Sequence, residues 1–525
     1  MRKLIIAILL LLGIGLTNSC TDRFEEMNTD PNSLTSVNPA YFFAKITQAV
    51  FTNYQRNWDL YADLYSQYWA NTVGGFGSPR YEYNDGWVGN FWNEFYTEHL
   101  RRSIAIQEFV ADKSNYNNVK AMNEILICYW WSLLSDYYGD VPYFKAGIGT
   151  SVPYSSQKDV YYDLLARLDN AVKLISSDAN QISIGVYDRI YLGDAMKWQK
   201  FGNSLRLRLA MRLSNVDKEK AKTEAIAAIN GAGGLLSSNA DVAQVPIWKD
   251  GWTDYLQQTA WNWQNVVISK TFAGNLYAQV PGKEDPRAPR WLAYNVSVDG
   301  KAVVTSKEAK GAATYRGLEN GHSSTTMPSD ATSAYATINL SSGYVGFSGN
   351  GNDVLMYVPM MFYSEVLFLK SEAALRGWVA GDANGLYKDG VKASMDFVGV
   401  KTDDATAYIA ALPSLSGSNE AQLKQLITQK WIANFPNGAE GWSDFRRTDY
   451  PDLTLPFAGV SGSASVASGT YVKRIRYPDN QHKTNEVNMP SGLNTTDKDR
   501  MDTKVWWDVA GSETKGANKL MNSNF

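Results

Sequence analysis

Tryptophan and tyrosine gather beside amides, carboxylates and arginine in two stretches of the chain. Residues 69–92 carry Trp69, Asn71, Phe76, Arg80, Tyr81, Tyr83, Asn84, Asp85 and Trp87. Residues 252–264 carry Trp252, Asp254, Tyr255, Gln257, Gln258, Trp261, Asn262 and Trp263. An indole or phenol ring has an apolar face and a polar edge. Such a ring covers the C–H face of a sugar, while neighbouring amides, carboxylates and guanidinium groups take its hydroxyls. Trp252, Tyr255, Trp261 and Trp263, with Tyr81 and Trp87, are therefore the candidate ligand-binding residues, lining one shared surface. For any single ring the commoner role is packing, and Trp69 and Trp87 stand at helix ends where packing is favoured.

Covalent and metal chemistry have little to work with. The chain has three histidines, His99, His322 and His482. They make no H-E-x-x-H pair, and there is no G-x-S-x-G elbow or P-loop. Gly349-Asn350-Gly351 falls in a polar loop rather than between a strand and a helix. His99 shares a stripe with Trp87 and Phe95, where a hydrogen-bonded core histidine is expected. Asp382, Asn384 and Asp389 around Gly385 do not form a twelve-residue calcium loop. We expect no catalytic residue, no metal and no cofactor. The strongest enzymatic alternative is a glycosidase, which needs only two carboxylates, and 53 acidic residues can supply a pair. A purely adhesive surface protein is a third class.

The ends bound the compartment. Arg2 and Lys3 precede an apolar run over residues 4–16, followed by Thr17, Asn18, Ser19 and Cys20. The run is too short to span a bilayer and reads as a secretory signal over residues 1–19. Cys20 sits where a lipoprotein signal places its acylated cysteine, although Leu16 is four positions before it rather than the usual three. Cys128, within an apolar run, is then left as a buried free thiol. A formal net charge of −3 with no long basic block argues against nucleic acid.

Helical periodicity supplies the scaffold. Residues 20–38 read as a tether rich in turn residues. Helices are expected at about 39–72, 87–111, 116–138, 157–178, 194–214, 217–230, 355–378, 385–398 and 419–435, arranged as consecutive pairs. Within 197–212, Trp198, Phe201, Leu205 and Leu209 form an apolar stripe, and Arg208 and Arg212 are spaced to pair with carboxylates elsewhere. Arg446 and Arg447 beside Asp444 and Asp449 suggest a fixed polar cluster. Residues 235–353 are rich in Gly, Ser, Thr and Asn, with β-like runs such as 301–305. A long irregular stretch of this kind is usually functional. The tail from 451 reads as loop with a short strand at 471–477. The fold class is mostly α, stacked helix pairs with a loop-rich insert and short β pieces.

Several motifs, in order along the chain, resemble the SusD/RagB family of nutrient-binding lipoproteins. They are FEEMNTDPN at 24–32, DYYGDVPY at 136–143, KWQKFGNSLRLRLAMR at 197–212, EVLFLKSEA at 365–373, YKDGV at 387–391, QKW at 429–431, WSDFRRT at 442–448 and RIRYP at 474–478. Each is short; their order behind a lipoprotein signal carries the resemblance. It implies a single tetratricopeptide-like domain over 39–525. It implies a partner, a SusC-type TonB-dependent transporter, and an outer-membrane lipid anchor facing the cell exterior. It implies capture, without chemistry, of an oligosaccharide or glycan, or alternatively of a peptide. No family motif transfers individual ligand residues.

Overall fold

The computed structural model describes residues 38–49, 53–149, 151–248, 255–299, 301–349, 354–457, 465–509 and 524–525. Cys20 and the expected signal and tether through residue 37 lie outside them. Pro39–Phe525 makes one compact unit.

Helices α1 (Pro39–Ala49), α2 (Asp85–Glu94), α3 (Leu100–Val110), α4 (Asn117–Tyr138), α5 (Gln157–Leu174), α6 (Ala195–Arg212) and α7 (Lys218–Ile229) form the first half of the scaffold. From α3 onward each packs on the next. The starts follow from capping: Ser156 accepts from Asp159 N, Asp194 from Met196 N and Lys197 N, and Asp217 from Lys220 N. The stripe Trp198, Phe201, Leu205 and Leu209 is buried as its spacing predicts. Helices α4, α5 and α6 approach closely at Gly202, where an added Cβ would lie 2.6 Å from Val172 Cγ1 and 2.8 Å from Ile125 Cδ1. We expect Gly202→Ala to cost roughly 1–3 kcal/mol by overpacking, read as a lowered midpoint in denaturant unfolding.

Two expected helices are interrupted. The pattern over 87–111 is α2 and α3 joined by a π-helical turn, Phe95–His99. The pattern over 39–72 resolves into α1, a π-helical segment Gln55–Asp63, and strand β1 (Trp69–Asn71). The π-helical segment buries Asp63, whose Oδ2 accepts a hydrogen bond from the Tyr54 hydroxyl at 2.7 Å. Burial pushes this carboxyl up from 3.8 to about 7. Between those values the folded protein keeps a proton that the unfolded chain has lost. Asp63 thus contributes stability below about pH 4 that is lost as the pH rises through about 7. Asp63→Asn should gain thermal stability relative to the wild type between pH 4 and 7, with no further gain above.

The second half contains α8 (Lys270–Ala278), within the insert, then α9 (Tyr363–Leu375), α10 (Ala383–Phe397), α11 (Thr402–Ala411), α12 (Asn419–Ala433) and α13 (Gly438–Thr448). Helix α9 pairs with α10 and also touches α6 and α12, so the two halves share one core. Strands β2 (Val141–Pro142) and β3 (Tyr154–Ser155) pair between α4 and α5.

The insert closes at its base. Strand β4 (Ala243–Trp248) pairs antiparallel with β9 (Val354–Met361), from Ala243↔Met361 to Trp248↔Val354. The expected helix at 355–378 therefore begins only at Tyr363; its first seven residues are strand. Between β4 and β9 lie β5 (Val266–Ile268), β6 (Leu292–Val298), β7 (Lys301–Thr305) and β8 (Ala336–Ile338), with sheet order β7-β6-β8. Residues 471–477 form no ladder; Ile475 N instead donates to the Tyr137 carbonyl at 2.7 Å.

The arginines of α6 and α13 are structural. Arg208 grips Glu365 in a bidentate pair, at 2.6 Å for both bonds. Arg212 donates to Glu440 at 2.7 Å, and Lys430 bridges Glu440 and Asp444 at 2.7 and 2.6 Å. Arg446 stacks on Trp442 at 3.6 Å and donates to the carbonyls of Asp136 and Lys473.

Candidate ligand-binding site

The insert meets the scaffold through β1 and β5. They pair antiparallel, with Asn71 opposite Val266 and Trp69 opposite Ile268. The residues after Asn71 and those before Val266 thus leave the same end of this ladder. Thr72 continues the contact, its N–H donating to the Asn265 carbonyl at 2.8 Å and its hydroxyl to the Gln264 carbonyl. The two aromatic stretches singled out in the sequence are joined at this end.

On the insert side a π-helical turn, Gln258–Asn262, precedes β5. Turns of this kind carry an extra residue and recur at functional sites. Trp263 caps it, with its N–H on the Gln258 carbonyl at 2.8 Å. Its side chain is left 42% exposed, unusual for so large an apolar ring. Trp261 is half-buried, and Asn262 is exposed with its amide on Gln258 Oε1. Two indoles and two amides therefore stand within six residues, with faces and edges suited to a sugar.

On the scaffold side the loop 72–84 is held rather than loose. The Asn71 side chain accepts from Val73 N at 2.7 Å. Arg80 donates to the carbonyls of Gly74 (3.0 Å) and His322 (3.3 Å) and pairs with Glu82. Gly74 lies so close to Ser324 that a Cβ would fall 2.5 Å from its backbone nitrogen. Arg80, read from sequence as a polar partner for ligand, acts here as a brace. Phe76 and the half-buried Trp87 pack edge to face at 5.0 Å.

The remaining sequence candidates are placed differently. Tyr81 is 5% exposed, with its ring against Tyr65 at 5.7 Å, and burial pushes its hydroxyl pKa up. It stands at φ +63°, in the left-handed region. Tyr255 is 7% exposed and belongs to the core. Trp69 is fully buried against Phe435. Trp252 lies outside the described residues. The structure thus sets Trp261 and Trp263 just before β5 at one ladder end, packs Trp87 on Phe76 of the facing loop, and puts Tyr81 and Tyr255 beneath the surface.

Two residues at this end escaped the sequence reading. Phe457, 38% exposed, stacks on His322 at 4.5 Å, and its N–H donates to the Asn320 carbonyl. They come from segments far apart in sequence, and neither lies in an aromatic-dense stretch.

Little here resembles a catalytic centre. His99 is fully buried and stacked with Trp130, and burial holds its imidazole pKa down at about 3. Cys128 is buried and free. Among the described residues no group of three or more His, Cys, Asp or Glu is placed to hold a metal ion.

A family model described as "Starch-binding associating with outer membrane" matches residues 31–478. The chain belongs to the SusD-like family. Solved structures agree. A chitin-binding SusD homologue from Flavobacterium johnsoniae is 26% identical, with a TM-score of 0.74 over 93% of this chain and 98% of its own. A SusD homologue from Bacteroides vulgatus is 25% identical, with a TM-score of 0.75 over 90% and 98%. One from Parabacteroides distasonis is 26% identical, with a TM-score of 0.74 over 91% and 98%. No sequence among the curated proteins matches the chain. The helix pairs of this SusD-like protein are thus the tetratricopeptide-like scaffold of its family.

Proposed function

We propose that this SusD-like protein is a non-enzymatic, lipid-anchored outer-membrane protein that captures an oligosaccharide and passes it to a SusC-type TonB-dependent transporter. The exposed Trp263 carries this reading, set beside Trp261 and the amides of Asn262 and Gln258 on a braced ladder end. A rigid aromatic ring offers contact area at small entropic cost. The chitin-binding homologue supports a glycan, and we take β-linked N-acetylglucosamine oligomers as the leading ligand. Cys20 would supply the anchor, as the leader sequence suggests.

Calorimetric titration of protein lacking residues 1–20 against neutral oligosaccharides, glycoprotein glycans and peptides tests this. Saturable binding of a glycan that is recovered intact is the expected result. Release of shorter sugars would establish a glycosidase, and saturable binding of peptides alone would replace the glycan with a peptide ligand.

A further inference from the structure

The insert also holds an open cleft of ≈ 530 Å³, between α8 and residues 314–335. The half-buried Tyr277 and Tyr335 supply aromatic rings to its lining, with Tyr315, 3% exposed, beneath them. Two of the three are fixed by polar contacts. The Tyr277 hydroxyl donates to Glu284 at 2.7 Å and accepts from Tyr315 N at 3.0 Å, and Tyr315 stacks with Tyr294. A cleft of this size takes one or two sugar residues.

The charges lining it are uneven. Lys270 and Glu319 face each other at 3.4 Å and offset one another. The exposed Arg316 guanidinium lies over the Tyr335 ring at 4.9 Å, and its backbone N–H is taken by the Tyr294 hydroxyl. Among the described residues no carboxylate pairs with it. His322 also lines the cleft; it is 9% exposed, and its buried Nδ1 has no hydrogen-bond partner. Buried polar nitrogens are normally satisfied. A guanidinium stacked on a tyrosine and without a carboxylate partner, at the edge of an open cleft, is a fitting receptor for the carboxylate of a sugar acid.

We propose that this cleft binds a carboxylate-bearing sugar, with the carboxylate on Arg316 and the sugar ring against Tyr277 and Tyr335. A glycan that carries a uronic acid would then gain this contact in addition to any that its neutral sugars make at Trp263. The inference rests on the cleft and not on the tryptophans, so the two readings fail separately.

The test compares tetragalacturonate with its methyl ester, by calorimetry at low salt, for the wild type, Arg316→Met, and the double variant Trp261→Ala/Trp263→Ala. A charge-assisted bidentate bond predicts that the acid binds the wild type about tenfold or more tighter than the ester. Arg316→Met should abolish that preference and Arg316→Lys restore it only in part. Because Arg316 is exposed, its variants should melt with the wild type. The tryptophan variant should keep the acid-over-ester ratio even if both ligands weaken. Equal binding of acid and ester, binding of neither, or a preference that survives Arg316→Met overturns the inference. Neutral-glycan binding lost only in the tryptophan variant would still leave the capture surface standing.

Discussion

Replacing Trp261 and Trp263 together with alanine should weaken glycan binding by about 30- to 700-fold, equivalent to about 2–4 kcal/mol, while leaving the fold intact. The size follows from what each ring does. Trp263 is 42% exposed, so its indole contributes less to the core than a buried tryptophan and leaves apolar surface open to ligand. Trp261 is half-buried and packed against the core at one edge. Its loss alone should lower stability slightly as well as affinity. The turn that carries them is held by backbone bonds, Trp263 N to the Gln258 carbonyl and Asn265 N to the Thr259 carbonyl, both 2.8 Å. Truncating the side chains leaves those bonds in place, so far-ultraviolet circular dichroism should not change. A control at Tyr81 separates surface from core. Tyr81→Ala removes a buried ring and should show mainly as a loss of roughly 3–5 kcal/mol in stability.

Removing the carboxylate of Glu372 should be more damaging to the fold than any surface change. Glu372 is fully buried on α9 and receives Arg447 at 2.6 and 2.7 Å and Arg376 at 2.9 Å. Burial opposes its ionisation, but the two guanidinium groups outweigh this and hold the carboxyl at about 2 rather than 4.5. That difference is worth about 3 kcal/mol at neutral pH. Glu372→Gln leaves the buried Arg447 without its anion, and breaking such a pair costs roughly 3–5 kcal/mol. The pH dependence has a definite sign. A lowered folded-state value gives stability that is present above 4.5 and lost as the pH falls toward 2. The gap between wild type and Glu372→Gln in urea unfolding should therefore be constant above about pH 5 and narrow below 4.5. A constant gap down to pH 2.5 would mean that the carboxylate contributes through shape rather than charge.

The physical reasons for success and failure of sequence reading differ between scaffold and site. Helices α4, α5, α6 and α7 were legible because their apolar spacing coincides with the caps Ser156, Asp194 and Asp217 and with glycine stops at Gly139 and Gly231. The pairing of Arg208 and Arg212 with distant carboxylates was also legible, since a guanidinium on a buried stripe must find an anion. Residues 355–361 misled because a continuous apolar run suits a buried helix or a buried strand equally; Val354, Val358 and Pro359 were the available hints of a strand. Helix α13 escaped notice because Gly438 and Gly441 lower its propensity and its stability comes from tertiary contacts, the rings of Trp442 and Phe445 in the core and the buried ion pairs of Glu440, Asp444 and Arg447. Gly438 is there because its α-carbon meets Asp63, where a Cβ would lie 2.2 Å from Oδ1. At the candidate site, aromatic density picked out two segments that the β1–β5 ladder joins, but could not say which of their rings are accessible. Tyr81 differs from Trp263 through its tertiary neighbours, since Tyr65 packs on one and, among the described residues, no ring packs on the other. The cleft residues Arg316, Tyr277 and Tyr335 are spread over sixty positions and had no local signature.

The crystal structure of the protein with its best-binding oligosaccharide tests the capture reading most directly. We predict a sugar ring stacked on the Trp263 indole, with hydroxyls on the Asn262 or Gln258 side chains, at the end of the β1–β5 ladder. A ligand seated on the helix pairs of α4 to α7, with the Trp263 ring bare, would contradict it.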